Sequence, residues 1–403
     1  MKKILYFAFA LMSAAMFTAC DSNSLTPEGD KTKLWPAGKN GSELWGYMDK
    51  SGNLTIAPKY DRAYGFSCGW ALVYEEKEPM FIDKSAKNKH SVDKDELCSY
   101  FFYYNYALFN DGKYYGMWDN NFNVVIPADY EHLGYPSADK LVAFAESIDD
   151  DEGYGYLDMN GKVAIEAQWY SAEDFVDGMA VVIVAKKVDG SYNYKYGVID
   201  KRGNYIIEPQ KNGIMSMGEG RLGMQKSSGK VVLCDKNLEE ISGSYDSGSP
   251  FSCGMARVYK SDKGYGYINK NGEEIVGCKY YRAWDYTDDM AFVKKDKDSK
   301  WEVLDKSGNS VLKLKDDEEP EEGFHNGLAL VSSYDKSTYE TTYRWIDKSG
   351  NTVYKWTPGD EEDEAPARRA AKEDNWEERN LNSVLQTPAG VLFLNAERAK
   401  ALR

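Results

Sequence analysis

The stretch Trp45-Gly46-Tyr47-Met48-Asp49-Lys50-Ser51-Gly52-Asn53 decides the fold, because variants of it recur nine times along the chain. The clearest copies have an aromatic residue, a glycine, two apolar residues, and an Asp or Asn that opens a turn. The Asp or Asn stands at positions 49, 83, 119, 158, 200, 235, 269, 305 and 347, at steps of 34 to 42 residues. A period in this range is typical of repeated supersecondary units that bury their faces against their neighbours.

Each unit divides into three strands, and the unit around Asp200 shows the division most clearly. Residues 179–184 form a short apolar strand, residues 196–200 a second strand and residues 205–209 a third. In the turn that follows Asp200, a glycine takes the positive φ that other residues resist. Proline ends the third strand because it cannot continue a hydrogen-bonded ladder. The sequence therefore predicts an all-β fold of about nine three-stranded antiparallel units.

Side-chain alternation in the second strand predicts how these units meet. The residues four and two places before the Asp, such as Tyr154 and Tyr156, share one face and are mostly aromatic or apolar. The residue just before the Asp or Asn points the other way, and it is apolar in every unit: Met48, Ile82, Trp118, Leu157, Ile199, Cys234, Ile268, Leu304 and Ile346. A strand with two apolar faces lies between neighbours and does not face water on one side. We interpret the aromatic stripe as core, with an exposed sugar-stacking platform as the alternative.

These features favour a curved or closed, propeller-like array. Three strands per unit are fewer than the usual four of a propeller blade, so an open solenoid of β-hairpins is the alternative. The repeats occupy residues 33–358, and the charged segment 359–403 carries no repeat and is predicted to be largely disordered.

The amino terminus carries a second signal. Two lysines precede an apolar run over residues 4–16, and Phe17-Thr18-Ala19-Cys20 follows. This pattern resembles the lipobox of bacterial lipoproteins, with Phe17 where the family prefers Leu. The resemblance implies a signal peptide over residues 1–19, lipid attachment at Cys20 and a flexible tether over residues 20–32. The alternative is an ordinary secretory peptide in which Cys20 is incidental.

The charge of the chain limits the classes of partner, and its cysteine count bears on disulfide bonds. The formal net charge of −15 disfavours nucleic acid and anionic lipid headgroups, which require a basic surface. Five cysteines follow Cys20, an odd number that does not suggest a disulfide framework. Cys68 and Cys253 occupy equivalent repeat positions, and buried thiols are the default interpretation. A single bridge between Cys253 and Cys278 stays open.

The repeats resemble the WG repeat family, named for the Trp-Gly pair seen here at Trp45-Gly46. The family pattern continues through an I-x-P-x-Y-D element and an F-x-x-G-x-A-x-V strand, matched here by residues 56–61 and 66–73. The resemblance covers about residues 33–356, although the copies ending at Asp83, Asp235 and Asp305 lack the glycine. It implies an all-β repeat fold, often in bacterial cell-envelope proteins. The family has no general catalytic residues, so none are carried over.

Motifs that would indicate catalysis or a cofactor do not stand out. His90, His132 and His325 are the only histidines, and no His or Cys spacing suits zinc. We therefore expect no catalytic, metal or cofactor residues, and predict a non-catalytic scaffold for an unknown protein, peptide or glycan. The expected location is the bacterial cell envelope, with the outer membrane favoured, a lipid anchor as the only membrane contact, and the body in the periplasm or at the cell surface. The alternative is a glycan-active enzyme that uses carboxylates in a repeat-lined cleft.

Overall fold

The computed structural model describes residues 33–148, 151, 153–189 and 191–359. The predicted signal peptide, Cys20, the predicted tether up to residue 32 and the tail from residue 360 lie outside the described residues. Within the described ranges, no helix is long and apolar enough to cross a membrane.

In the described part of the chain, strands form nine antiparallel sheets that follow one another in sequence order. The sheets stand in a ring, as the blades of a nine-bladed β-propeller. The prediction of an all-β, propeller-like repeat array is thus confirmed, and the alternative of an open solenoid is wrong.

The strands of blades 1 to 4 are β1 (Trp35–Lys39), β2 (Ser42–Met48), β3 (Leu54–Tyr60); β4 (Arg62–Ala63), β5 (Trp70–Glu75), β6 (Glu78–Asp83), β7 (Lys89–Ser91); β8 (Tyr106–Asn110), β9 (Tyr115–Asp119), β10 (Val124–Tyr130); and β11 (His132–Leu133), β12 (Leu141–Ala145), β13 (Tyr154–Asp158), β14 (Val163–Trp169). Those of blades 5 and 6 are β15 (Ser171–Ala172), β16 (Met179–Val188), β17 (Ser191–Asp200), β18 (Tyr205–Gln210); and β19 (Ile214–Gly218), β20 (Arg221–Gln225), β21 (Val231–Cys234), β22 (Glu240–Tyr245). Those of blades 7 to 9 are β23 (Ser247–Gly248), β24 (Met255–Lys260), β25 (Gly264–Asn269), β26 (Glu274–Tyr280); β27 (Arg282–Ala283), β28 (Met290–Lys294), β29 (Trp301–Asp305), β30 (Ser310–Lys313); and β31 (Glu318–His325), β32 (Leu328–Tyr334), β33 (Thr341–Asp347), β34 (Thr352–Trp356).

The three predicted strands are present in every blade, and we call them A, B and C in chain order. Seven blades also have a further strand on the free side of A, which we call the entry strand; among the described residues, blades 1 and 3 lack it. The entry strand was not predicted from the sequence, because in most blades it is only two residues long. In the five blades where it has two residues, a single residue separates it from strand C of the preceding blade, as Asp61 separates β3 from β4. Two residues are too few to show the alternation by which strands are recognised in a sequence.

Successive sheets overlap, and this overlap creates the core. Strand C of one blade contacts strand A of the next, as β3 contacts β5, and strand B contacts the next entry strand, as β2 contacts β4. Each of the nine interfaces between blades holds a cluster of buried apolar side chains. The ninth cluster closes the ring, because it joins Trp35, Ala37 and Met48 of blade 1 to Leu328, Leu330, Trp345 and Trp356 of blade 9.

The aromatic stripe of strand B belongs to this core. Tyr47, Tyr156 and Tyr267 are all 0% exposed. The residue that precedes the turn Asp or Asn, on the opposite face, is also buried in every blade. The prediction that strand B lies between two neighbours is therefore confirmed, and these tyrosines do not form an exposed stacking platform.

Cysteines contribute packing in the described blades. Cys98, Cys234 and Cys278 are free thiols, so the bridge between Cys253 and Cys278 that the sequence left open does not form. Burial raises the pKa of the Cys98 thiol to about 12 and that of Cys234 to about 11. Both thiols are therefore held in the protonated, unreactive form.

Candidate functional site

The repeated turn Asp is fully used within its own turn. In blade 1, the backbone N–H groups of Ser51 and Asn53 donate to Asp49 Oδ1 at 2.8 and 2.9 Å, and Asn53 Nδ2 donates to Oδ2 at 3.0 Å. These hydrogen bonds to Asn53 and Ser51 lower the pKa of the Asp49 carboxyl. The same arrangement recurs at Asp119, Asp200, Asp305 and Asp347. The conspicuous Asp of the repeat is therefore a turn-forming residue.

A second set of polar groups lies in the loops that lead into strand A. In each case, a backbone N–H donates to a side chain in the equivalent loop of the preceding blade. The four links to a carboxylate are Gly178 N to Asp139 at 2.9 Å, Gly220 N to Asp177 at 2.7 Å, Gly254 N to Glu219 at 3.0 Å and Gly327 N to Asp288 at 2.6 Å. Between the last two, Asp289 N donates to Cys253 Sγ at 3.5 Å, so Cys253 takes the place of an acid. We call this series, from blade 4 to blade 9, the loop chain.

Lysines from the turns after strand B neutralise much of the loop chain. Lys201 lies 3.1 Å from Asp139, Lys270 lies 3.3 Å from Glu219, and Lys348 lies 3.3 Å from Asp288. Each lysine comes from the blade after that of its acid, so the pairs cross an interface. At Asp177, desolvation by the surrounding loops raises the carboxyl pKa, and the neighbouring carboxylates Asp139 and Glu219 add to the rise. The loop chain thus ties adjacent blades together at one face of the ring.

Glu173 and Asp174 are adjacent buried carboxyl groups and therefore candidates for acid–base chemistry, and burial also raises the pKa of Glu322 well above its usual value. Burial raises the pKa of Glu173 to about 8 and that of Asp174 to about 7. The two side chains nevertheless bind opposite neighbours: Glu173 accepts a hydrogen bond from the backbone of Ser216 in blade 6, and Asp174 accepts one from the N–H of Tyr135 in blade 4, at 3.3 Å. This geometry gives the pair a role in joining three blades. Neither residue was predicted from the sequence, and the only available signal was the adjacency of the two acids just after Ser171-Ala172.

The three histidines are packed against aromatic rings. His90 stacks on Phe122 with the ring centroids 3.7 Å apart and the planes 10° apart. His325 lies between Trp35 and Trp345, with centroid separations of 5.9 and 5.5 Å. Burial lowers the pKa of His132 and that of His325 to about 4, so both rings are neutral at pH 7. No group of three or more His, Cys, Asp or Glu side chains in the described residues is arranged to hold a metal ion.

Blade 5 departs from the other blades by an extended hairpin. Strands β16 and β17 have ten residues each, whereas β5 and β6 of blade 2 have six each. Tyr192 and Tyr194 lie on one face of the added part of this hairpin. The Tyr170 ring packs against both, with centroid separations of 5.6 and 5.3 Å. We call Tyr170, Tyr192 and Tyr194 the tyrosine cluster. The cluster was not predicted from the sequence, because the predicted strand B began at Tyr196 and left Tyr192 and Tyr194 outside the aromatic stripe.

Comparison with known families identifies the repeat in four places along the chain. Four segments match the family model of the WG containing repeat: residues 45–77, 154–187, 196–230 and 265–301. Each match begins at strand B of one blade and runs into or just past strand A of the next. In each of those four strands B an aromatic residue is followed by Gly, and the copies end at Asp49, Asp158, Asp200 and Asn269. No curated protein matches the chain. The protein is therefore an all-β tandem-repeat propeller whose chain matches the WG containing repeat in four segments.

Proposed function

We propose that this propeller is a non-catalytic binding scaffold, anchored by a lipid on Cys20 in the bacterial cell envelope. The observation that carries the proposal is the contrast between blade 5 and the rest of the ring. Elsewhere, the polar groups described above are engaged in holding turns and blades together. The extended hairpin of blade 5 instead carries an aromatic cluster that the ring does not need for its closure.

The alternative of a glycan-active enzyme is less well supported by the same geometry. Retaining glycosidases place two carboxyl groups about 5–5.5 Å apart, and inverting enzymes about 6.5–9.5 Å apart, on either side of the bond to be cut. Glu173 and Asp174 have pKa values that suit a general acid, but their hydrogen bonds direct them to different blades. A carboxylate that holds a neighbouring blade is poorly placed to change its protonation and its partners during a reaction.

Binding is tested with the full-length protein in detergent, as bait for envelope extracts and as a probe on a glycan array. A scaffold should retain a defined ligand, and a variant with β16 and β17 shortened to six residues each should lose it. If the wild type retains no ligand in either assay, the scaffold proposal is wrong. If the shortened variant retains the ligand as well as the wild type does, the assignment of binding to blade 5 is wrong.

Catalysis is tested by incubating the protein with mixed envelope polysaccharides and measuring new reducing ends. The scaffold proposal expects no release. Release that disappears in both Glu173→Gln and Asp174→Asn would instead establish the enzymatic alternative.

The lipid anchor is tested by replacing Cys20. Cys20→Ser should abolish the uptake of labelled fatty acid and release the protein from the membrane fraction. Cys278→Ser is the matched control, because Cys278 is a free thiol in blade 7 and its loss should leave both properties unchanged. A Cys20→Ser variant that stays in the membrane fraction, together with a wild type that takes up no label, would refute the anchor.

A further inference from the structure

We propose that the tyrosine cluster of blade 5 is a saccharide-binding site, and that its ligand is a glycan chain whose apolar C–H faces stack on the rings. This inference rests on the proposed function as a binding scaffold and names the class of its ligand. Four observations support it: the length of the hairpin, a change at one repeat position, the fixed orientation of the rings and the polar groups beside them.

The hairpin is longer than the ring requires. In blade 5, strands A and B pair without interruption from Met179 opposite Asp200 to Val188 opposite Ser191. Each strand is four residues longer than its counterpart in blade 2, which extends the hairpin by about 13 Å at the usual rise per residue. The added end includes exposed residues such as Val188, at 43%, and Tyr194, at 37%. These exposed side chains contribute little to the interfaces between blades, whereas Tyr192 reaches Asp151 in the A–B turn of blade 4.

The residue that joins strand C to the next entry strand also changes at this blade. In three other blades this connector is acidic and accepts a hydrogen bond from the backbone of the A–B turn: Asp61 from Lys77 N at 2.7 Å, Glu131 from Ile148 N at 3.0 Å and Asp246 from Ser261 N at 2.8 Å. At blade 5 the connector is Tyr170, whose ring contacts those of Tyr192 and Tyr194. Blade 8 also has a tyrosine at this position, Tyr281, but its strands A and B have only five residues each, so only in blade 5 does an extended hairpin meet the aromatic connector.

The rings are held in defined orientations. Tyr192 and Tyr194 are two residues apart on strand β17, so they share a face, and their planes differ by 19° with centroids 6.0 Å apart. The Tyr192 hydroxyl donates to the Asp151 carboxylate, with oxygen separations of 2.9 and 3.2 Å. The Lys187 ammonium lies 5.6 Å from the Tyr192 ring centroid. Rings that are already fixed lose little conformational entropy when a ligand binds. Even a ligand whose individual contacts are weak can therefore bind to them.

The chemistry of the cluster favours a saccharide over a protein surface. A protein partner of ordinary size requires a broad patch with an apolar centre. Here three aromatic rings stand beside one carboxylate, Asp151, and one ammonium group, Lys187. A sugar ring presents a C–H face that packs on an aromatic ring and hydroxyl groups that both donate and accept hydrogen bonds. The tyrosine rings suit the C–H face of such a sugar, and the Lys187 ammonium and the Asp151 carboxylate suit its hydroxyl groups.

The experiment uses the full-length protein in detergent on an array of neutral and acidic oligosaccharides, with an immobilised decaproline peptide as a second probe. The strongest oligosaccharide is then titrated by calorimetry against the wild type, Tyr192→Ala and Tyr194→Ala. Each truncation should weaken binding by about tenfold or more, since one aromatic contact contributes roughly that factor. Tyr192→Phe keeps the ring and should retain most of the affinity.

Tyr281→Ala is the matched control, because Tyr281 occupies the connector position of Tyr170 in blade 8 and is 47% exposed, beside a hairpin of ordinary length. Its affinity should equal that of the wild type, and all variants should keep the wild-type melting temperature. Oligosaccharide binding that is unchanged in Tyr192→Ala and Tyr194→Ala would refute this site while leaving the scaffold function intact. Binding to decaproline alone would refute the saccharide and assign the cluster to an extended peptide. A protein that binds neither probe but captures an envelope ligand would overturn the saccharide inference without overturning the proposed function.

Discussion

The indole N–H of Trp345 in blade 9 donates a 2.9 Å hydrogen bond to the backbone carbonyl of Pro36 in blade 1. In blade 2 the equivalent carbonyl, that of Leu72, accepts instead from the backbone N–H of Tyr64, in the segment that continues the entry strand, at 3.0 Å. Blade 1 has no entry strand, so a side chain of the last blade makes the bond that the backbone makes elsewhere.

In blade 1, the next free carbonyl of strand A also accepts a hydrogen bond from a side chain of blade 9. Gly38 O accepts from the Tyr354 hydroxyl at 2.9 Å, whereas its counterpart in blade 2, Tyr74 O, accepts from Asp61 N at 2.8 Å. Gly38 has no side chain at the point where the Trp356 indole packs, and a Cβ there would overlap the indole ring. The ring is therefore closed by aromatic side chains of blade 9.

The first prediction concerns this closure. Trp345→Phe and Tyr354→Phe each remove one donor and leave a carbonyl without its partner, which should lower the free energy of unfolding by about 1–3 kcal/mol. Chemical denaturation of the full-length protein measures the change. Tyr339→Phe is the control, because Tyr339 is 63% exposed in the same blade, and it should leave stability unchanged. Equal stability in all three variants would show that the side chains do not hold the ring closed.

The second prediction concerns the aromatic core. Tyr156→Ala and Tyr267→Ala should each cost about 3–5 kcal/mol, because each truncates a fully buried ring. Their hydroxyls donate to Glu173 O and Trp284 O in the next blade, at 2.7 and 2.6 Å, so Tyr→Phe should cost about 1 kcal/mol.

Each ring lies in one interface between blades, so its loss weakens that interface and leaves the others intact. The alanine variants should therefore also broaden the unfolding transition. Calorimetry detects both effects. A sharp transition at the wild-type melting temperature would contradict the assignment of these residues to the core.

The third prediction compares two glycines at the same position of a tight turn, Gly272 in the B–C turn of blade 7 and Gly229 in the A–B turn of blade 6. Gly272 and Gly229 have φ values of +79° and +81°, so alanine at either position is strained by about 1–2 kcal/mol. At Gly272 the new Cβ would also overlap the Ile241 carbonyl of the preceding blade, whereas at Gly229 nothing lies within 4 Å. Gly272→Ala should therefore destabilise the protein by at least about 2 kcal/mol more than Gly229→Ala. Similar melting temperatures for the two variants would refute the close contact between this turn and the preceding blade.

The fourth prediction concerns pH. Burial raises the folded-state pKa of Glu173 to about 8, with a smaller contribution from Asp174, whereas an unfolded Glu titrates at about 4.3. The folded state thus retains a proton that the unfolded chain releases, and stability is lost as the pH rises from about 4 through about 8. Glu173→Gln removes the contribution of this carboxyl, while Asp174, whose pKa is raised to about 7, keeps its own; the variant should therefore melt increasingly above the wild type towards pH 8.

Melting temperatures between pH 5 and pH 8.5 measure this effect, with Glu166→Gln as the control at an exposed carboxylate. The control should follow the wild type at every pH. The prediction fails if the melting temperature of Glu173→Gln differs from that of the wild type by the same amount at every pH.

Much of the architecture could be predicted from the sequence, because the interactions that specify a unit are local. The turn Asp binds backbone groups two and four residues later, and strand alternation places Tyr156 and Leu157 on opposite faces within a single strand. The entry strands escaped prediction for the opposite reason. A two-residue strand exists only because strand A of its own blade offers free carbonyls, and those are not visible in the local pattern.

The candidate site was the least predictable part. Tyr192 and Tyr194 alternate along β17 as core tyrosines do, and only the observed pairing with β16 places them beyond the edge of the blade. Tyr192 reaches Asp151, 41 residues away, and Tyr170 joins the cluster from the preceding connector. The same holds for Glu173 and Asp174, whose pKa values follow from burial between blades.

The sequence by itself determined the number of units, their strands A to C and the two buried faces of strand B, since each depends on contacts within about forty residues. Only the tertiary structure decided that the ring closes, because closure depends on the rotation accumulated over nine interfaces and on a contact such as Trp345 with Pro36, 309 residues apart. It also decided which tyrosines face water, because a side chain that alternates correctly is buried only where a neighbouring blade reaches far enough to cover it.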